Sequence, residues 1–314
     1  MPYIGRFAPS PTGPLHFGSL VAAVASYCDA KANNGTWLLR MEDLDTPREI
    51  VGAADTILQQ LDVFGFEWDG EIVFQSQRSE IYEEYLYQLK RDGLVYACTC
   101  SRKEIADSAI FNGIDGAIYP KTCFNKTLKL STNKFNDSAK PINACSWRVN
   151  VDDAKIIRFN DAIQGEISQH LNADVGDFIL KRKDGLFAYQ LAVVVDDALQ
   201  NITQIVRGAD LLDSTPRQIY LQYLLGFNTH DLKKISYAHV PIATNIAGEK
   251  LSKQTLAEPI NINLAVHQLF DALHFLGQTP PAELKNAKLD ESWHWAIEHW
   301  NLAKVPAAIQ IRAS

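Results

Sequence analysis

The start of the chain alternates strand and helix character in a way that leaves few folds open. Tyr3 to Ala8 reads as a short strand, and the Pro/Gly-rich run Pro9 to Pro14 as a loop. Leu20 to Ala32 is rich in Ala and Val, so a buried helix is expected there, stopping near Asn33-Asn34-Gly35. Trp37-Leu38-Leu39-Arg40-Met41 reads as a second strand and runs into the acidic turn Glu42-Asp43-Leu44-Asp45. Pro47 can open the next helix, expected to reach about Phe64, and Arg78 to Asp92 forms another, closed by Gly93. Strand-helix-strand-helix order implies a parallel sheet with right-handed crossovers, hence a doubly wound α/β fold.

The rhythm breaks at the cysteine segment from Cys98 to Cys123 and at the polar run Lys126 to Lys140, expected as a surface loop. Ser146 to Val151, Lys155 to Asn160 and Asp177 to Lys183 resemble antiparallel strands. Leu191-Ala192-Val193-Val194-Val195-Asp196-Asp197 is a continuous apolar run ending in two acids, read as a strand buried on both faces. Ile202 to Val206 is expected as a strand and Pro216 to Leu225 as a helix. From Leu251 onward the pattern is mostly helical, with Trp293 to Trp300 in the last helix.

The 314 residues suit one large domain with insertions or two to three smaller ones. No apolar run approaches the ~20 residues of a membrane span. Met1-Pro2-Tyr3-Ile4-Gly5-Arg6 lacks the basic start and apolar stretch of a signal peptide, so a cytoplasmic protein is expected. The net charge of −7 argues against non-specific nucleic-acid binding, although a local basic patch can still dock one. Candidate phosphate contacts are Lys126, Lys129, Lys134, Lys140, Lys181, Arg182, Lys183, Lys233 and Lys234, none of them singled out.

Two distant stretches carry chemistry together. His16-Phe17-Gly18-Ser19 sits at the first strand-to-helix junction, where a helix N-terminus offers N–H groups to phosphate. Gly18 lets a nucleotide lie against the backbone, and His16 can donate to a phosphate oxygen. Lys250-Leu251-Ser252-Lys253-Gln254 reads as a mobile lysine-bearing loop able to close over a triphosphate. The pair points to adenylate formation from ATP and a carboxylic acid, driven by positioning and electrostatics.

Four of the five cysteines, Cys98, Cys100, Cys123 and Cys145, fall within fewer than fifty residues; Cys28 reads as a core thiol. In a cytosolic chain such a cluster favours a metal over disulfides. Tetrahedral zinc needs a fourth ligand beside Cys98, Cys100 and Cys123, and both Cys145 and Tyr119 are candidates.

These motifs resemble class I aminoacyl-tRNA synthetases. His16-Phe17-Gly18-Ser19 is similar to their first signature and Lys250-Leu251-Ser252-Lys253-Gln254 to their second. Phe17, Ser19, Leu251 and Gln254 depart from the wider class pattern and match the glutamyl and glutaminyl branch. Arg6 to Gly13, Arg40 to Asp45, Tyr189 to Asp197 and Val206 to Leu212 also resemble that branch. The resemblance implies a Rossmann-like sheet with a zinc-bearing α+β insertion and a short helical C-terminal region. It implies catalytic roles for His16, Gly18, Ser19, Lys250 and Lys253, with His16, Gly18, Ser19 and Lys253 on ATP. The implied glutamate set is Arg6, Ala8, Ser10, Glu42, Tyr189 and Arg207: guanidinium forks for carboxylates, Glu42 for the α-ammonium. Cys-x-Cys followed by Tyr-x-x-x-Cys favours Cys98, Cys100, Tyr119 and Cys123 as ligands of a structural zinc.

Some sixty residues follow Gln254, so no anticodon-binding domain is expected. With that length and the cysteine-tyrosine cluster, the chain resembles the glutamyl-queuosine tRNA(Asp) synthetase family. The expected partition is 1–96 and 187–238 for nucleotide binding, 97–186 for an inserted acceptor-binding-like domain, and 239–314 for a stem-contact-like helical region. The implied activity is tRNA-independent activation of L-glutamate and its transfer to queuosine in the anticodon of tRNA(Asp). ATP is then a substrate, Mg2+ accompanies it, and a monomer is expected. Asp196 and Asp197 would orient the accepting hydroxyl or the magnesium, or serve a structural role at a strand end. The competing readings are conventional 3′-end aminoacylation and a non-catalytic paralogue acting as a binding module.

Overall fold

The computed structural model describes residues 2–124, 145–227, 235–245, 248–251 and 258–313. The chain opens with β1 (Ile4–Phe7), α1 (Phe17–Ala32) and β2 (Thr36–Met41), as the alternation predicts. There follow α2 (Ala53–Val63), β3 (Val73–Phe74), α3 (Ser79–Arg91), β4 (Val95–Cys98) and α4 (Arg102–Ser108). Next come β5 (Asn112–Gly113), β6 (Gly116–Ala117), β7 (Ser146–Val149), β8 (Ile157–Asp161), β9 (Gly165–Gln169), α5 (Leu171–Asp174) and β10 (Ile179–Lys181). The remainder is α6 (Tyr189–Leu199), β11 (Gln204–Gly208), α7 (Thr215–Leu224), β12 (Ser236–Val240), β13 (Ile242–Thr244), α8 (Ala265–Phe275), α9 (Leu289–Glu298) and β14 (Gln310–Arg312).

Parallel pairing dominates the sheet that carries the cavity. β1 pairs with β2, and β11 with β12, both in parallel register. β1 and β11 lie side by side, tied by the Thr203 amide on the Ile4 carbonyl at 2.9 Å and by the Ile4 amide on Thr203 Oγ1 at 2.9 Å. α1 packs between these strands and the C-terminal helices α8 and α9. From Leu20 to Ala30 every residue but Ala22 is buried, which is why small and apolar side chains fill most of the helix. An aromatic cluster of Tyr27, Trp37, Phe66 and Trp293 locks α9 onto this layer.

The structure corrects several expectations. Leu191 to Asp197 is not a strand; it lies inside the helix α6. A run that is apolar on every side carries no period, so it reads alike in a buried strand and a buried helix. All seven residues are buried against α3, α7 and β10. No single helix runs from Pro47 to Phe64. Thr46–Arg48 makes one 3-10 turn, and Gly52 turns left-handed (φ 78°) before α2 begins. An α-helix cannot continue through that conformation, and glycine adopts it without steric cost.

β7 pairs antiparallel with both β4 and β10, as expected for that region. β8 instead joins the main sheet, meeting β12 at Asp161 and pairing antiparallel with the unforeseen β9. The last helix ends at Glu298, short of Trp300, and the chain returns as β14 to pair in parallel with β13.

A buried ionic cluster binds the first strands to α6. Asp197 takes Arg40 Nη2 at 2.8 Å and Arg6 Nε at 3.1 Å. Asp196 takes Arg78 Nε at 2.7 Å, with Gln75 and Tyr82 each at 2.8 Å. Burial alone would raise the Asp197 carboxyl, but Arg6 and Arg40 outweigh it and hold it below the ordinary carboxylate value. Removing one partner of such a pair leaves buried charge uncompensated. Asp197→Ala is therefore expected to lower unfolding stability by about 3 kcal/mol or more, measured by denaturant titration. A loss below ~0.5 kcal/mol would contradict this reading of the cluster.

Candidate active site

A cavity of about 420 Å3 opens at the C-terminal ends of β1, β2, β11 and β12. In a parallel α/β sheet this is where strand ends and helix N-termini converge on a ligand. One half is built on α1. His16 caps that helix: its Nδ1 accepts from the Ser19 amide at 3.2 Å, and Ser19 Oγ lies 3.1 Å from Nε2. An accepting Nδ1 places the neutral ring's proton on Nε2. A Cβ at Gly18 would come within 3.2 Å of the His16 ring and 3.3 Å of the Leu251 carbonyl. The two sequence motifs thus meet in space at Gly18.

The second motif is anchored where it begins. The Leu251 amide donates to the Ala243 carbonyl at 2.8 Å, and Lys250 bridges Thr244 on β13. Lys250 Nζ sits 2.5 Å from Asp210 Oδ2, both residues lining the cavity. Ser252, Lys253 and Gln254 lie outside the described residues, as do Lys126, Lys129, Lys134, Lys140, Lys233 and Lys234.

The other half gathers Arg6, Ala8 and Ser10 from β1 and its loop, Glu42 after β2, Tyr189 at the start of α6, and Arg207 on β11. The two arginines differ. Arg6 is forked onto Asp197, with Nη2 to Oδ2 at 3.4 Å beside the Nε contact. Arg207 pairs with no carboxylate among the described residues. Its donors reach Thr215 Oγ1 at 2.7 Å, Gln218 Oε1 at 2.9 Å, His239 Nε2 at 3.0 Å and the Tyr189 hydroxyl at 3.3 Å.

Burial raises the Glu42 carboxyl above its ordinary value, and Arg40 and Arg6 offset that only in part. A ligand cation would restore its charge. Burial likewise keeps the Tyr189 phenol protonated as a donor. The cavity therefore offers one uncompensated guanidinium, one compensated guanidinium and one buried acid, a set matched to a small zwitterion with an extra negative charge.

Sequence reading missed His239, Asp161, Thr215, Gln218 and Asp210. His239 is a single histidine in the short strand Ser236–Val240, and only the β11–β12 register sets it opposite Arg207. Asp196 and Asp197 are expected either to orient a hydroxyl or magnesium or to serve a structural role at a strand end. They lie on the helix α6 rather than at a strand end, and their carboxylates pair with Arg6, Arg40 and Arg78.

The cysteine cluster stands apart, in an apolar patch with Tyr96, Ile105 and Phe124. The sulfurs of Cys98, Cys100 and Cys123 all lie within 4.8 Å of one another. The Tyr119 hydroxyl is 3.6 Å from Cys100 Sγ and accepts from the Cys123 amide at 2.8 Å. Cys145 is not part of this group. Burial opposes ionisation of Cys123, yet hydrogen bonds from Tyr119, Thr99 and Cys100 bring its thiol down to about 6. Three sulfurs and a phenol oxygen make four donors, a set that fits a tetrahedral thiophilic ion.

Comparison with known proteins decides the family. The model for class I tRNA synthetases (E and Q), catalytic domain, matches residues 4–275. Glutamyl-Q tRNA(Asp) synthetase of Dechloromonas aromatica is 56% identical over 306 residues, covering 97% of this chain and 96% of that protein. The protein of the same name from Aromatoleum aromaticum is 52% identical, over 99% of this chain and 93% of the relative. The chain belongs to the glutamyl-Q tRNA(Asp) synthetase family. Among solved structures, the glutamate-tRNA synthetase of Elizabethkingia anophelis superposes with a TM-score of 0.75 at 25% identity, over all of this chain and 68% of that one. The glutamate tRNA ligase of Elizabethkingia meningosepticum, solved with its amino acid, also gives 0.75, at 24% identity over 100% of this chain and 67% of that one. The fold is thus the Rossmann-like α/β fold of class I synthetases. None of the helices among the described residues is long and apolar enough to cross a membrane.

Proposed function

We propose that this ligase activates L-glutamate with ATP, without tRNA, and transfers the glutamyl group to queuosine in the anticodon of tRNA(Asp). One observation carries the reading: more than half of the residues are identical, over nearly the whole of both chains, to a synthetase named for that tRNA. The cavity supports it, since Arg207, Glu42 and Tyr189 answer the charges of glutamate.

In the first step a glutamate α-carboxylate oxygen attacks the α-phosphorus of ATP. A phosphorus–oxygen bond forms, the bond to the β-phosphate bridge breaks, and pyrophosphate leaves. The N-terminus of α1, with His16 Nε2–H, faces the negative charge that builds on the phosphate. Lys250, and Lys253 beyond the described residues, would neutralise the departing phosphates, and magnesium would arrive with ATP. Arg6 and Arg207 supply donors for the two carboxylates, Tyr189 adds a hydroxyl, and Glu42 takes the ammonium; Ala8 and Ser10 close the pocket beside it. In the second step a queuosine hydroxyl attacks the acyl carbon. An ester forms, AMP leaves, and the hydroxyl proton passes to the leaving phosphate or to water.

We further assign 1–96 and 187–238 to nucleotide binding, 97–186 to an inserted acceptor-binding-like domain, and 239–314 to a stem-contact-like helical region. Within the insertion we assign a structural zinc to Cys98, Cys100, Tyr119 and Cys123. The ion would pin β4 to the segment around Tyr119 and has no open position for substrate.

Incubation with labelled glutamate, ATP and tRNA from cells with or without queuosine tests the acceptor. Label is expected on an anticodon nucleoside, only in queuosine-containing tRNA, after nuclease digestion. Label on a terminal adenosine would show 3′-end aminoacylation instead. For the metal, purified protein should carry about one zinc per chain by elemental analysis. Tyr119→Phe is expected to lower that occupancy and Cys145→Ser to leave it intact; the reverse pattern would move the fourth ligand to Cys145.

A further inference from the structure

Arg207 owes its position to neutral acceptors, and one of them has a partner of its own. His239 is fully buried on β12, directly opposite Arg207 in the parallel register with β11. Its Nδ1 lies 2.6 Å from Asp161 Oδ2, and its Nε2 is 3.0 Å from Arg207 Nε. A carboxylate at Nδ1 demands the ring proton there, which leaves Nε2 as a lone pair facing the guanidinium. The opposite tautomer would set an N–H against the Arg207 Nε–H. Burial and the Arg207 charge push His239 down to about 4, outweighing the pull of Asp161, so the ring is neutral at physiological pH.

We propose that Asp161 and His239 are positioning residues for the substrate carboxylate: Asp161 fixes the His239 tautomer, and His239 fixes the guanidinium plane of Arg207. The imidazole also holds the Asp161 charge one ring away from Arg207. A carboxylate in direct contact, as on Arg6, would neutralise the guanidinium that the ligand needs. Outer partners of this kind set the orientation of the groups that touch ligand. The proposal rests on the glutamate reading of the cavity and names two residues that reading does not contain.

Asp161→Asn is the decisive variant because it separates tautomer from fold. Asp161 Oδ1 accepts the amides of Ile163, Gln164 and His239, and the asparagine oxygen can go on doing so. Its NH2 group would then face Nδ1 and force the proton onto Nε2, against Arg207. In tRNA-free pyrophosphate exchange, the KM for glutamate is expected to rise about tenfold or more, with the KM for ATP within about twofold. His239→Leu should match it, while His239→Gln, whose Oε1 can still accept from Arg207, should recover most of the affinity. An unchanged glutamate KM in Asp161→Asn would overturn the proposal, and so would equal increases in both KM values. Should that variant not fold, 15N NMR of histidine-labelled wild type reads the tautomer directly. A neutral ring protonated on Nδ1 is expected, and a ring protonated on Nε2 would refute the assignment. Wild type lacking glutamate-dependent exchange would sink the glutamate reading itself, and the NMR result would still decide the tautomer.

Discussion

Asp197 between Arg6 and Arg40 is the contact on which the rest of this molecule depends. It joins β1, β2 and α6, three elements far apart in sequence, through charges that water scarcely reaches. Ionising such groups in the interior is costly, so each must keep its partner. Asp196 extends the cluster to Gln75 and Arg78 on the segment leading into α3 and to Tyr82 within that helix. Glu42 sits at its open end, 3.4 Å from Arg40, where the cluster meets the cavity. The same charges that close the core therefore set the electrostatics of the site's floor.

That arrangement gives the two arginines of the cavity different jobs. Arg6 is half spent on Asp197, so it orients more than it attracts. Arg207 is held by Tyr189, Thr215, Gln218 and His239, none of them anionic, and its charge stays available. A pocket whose Arg207 has no carboxylate partner among the described residues, beside the buried acid Glu42, discriminates by charge balance. A neutral amide in place of the second carboxylate would leave Arg207 buried without a counter-charge.

The parts of this design that lie in local sequence were legible there. The loop Pro9 to Pro14 and the Ala-rich α1 are set by nearest neighbours, and their structure matches the reading, although α1 starts at Phe17 with His16 as its cap, ahead of the expected Leu20. Leu191 to Asp197 was misread because its burial on all sides erases the period that distinguishes strand from helix. The turn at Gly52 was passed over because one left-handed residue leaves no trace in an otherwise helical pattern. β8 and β14 reach their partners only through the assembled sheet, so no local signal assigns them. The residues Arg6, Glu42, Tyr189 and Arg207 were found through motif resemblance. Asp161 and His239 act on Arg207 through strand register, which sequence spacing alone does not reveal.

The central claim is that an uncompensated, well-oriented Arg207 makes this cavity a glutamate site that works before any tRNA arrives. Pyrophosphate exchange measured without tRNA across the standard amino acids tests it most directly. The account predicts ATP-dependent exchange with L-glutamate and little with glutamine or aspartate. Comparable exchange with glutamine, or exchange that appears only when tRNA is added, would contradict it.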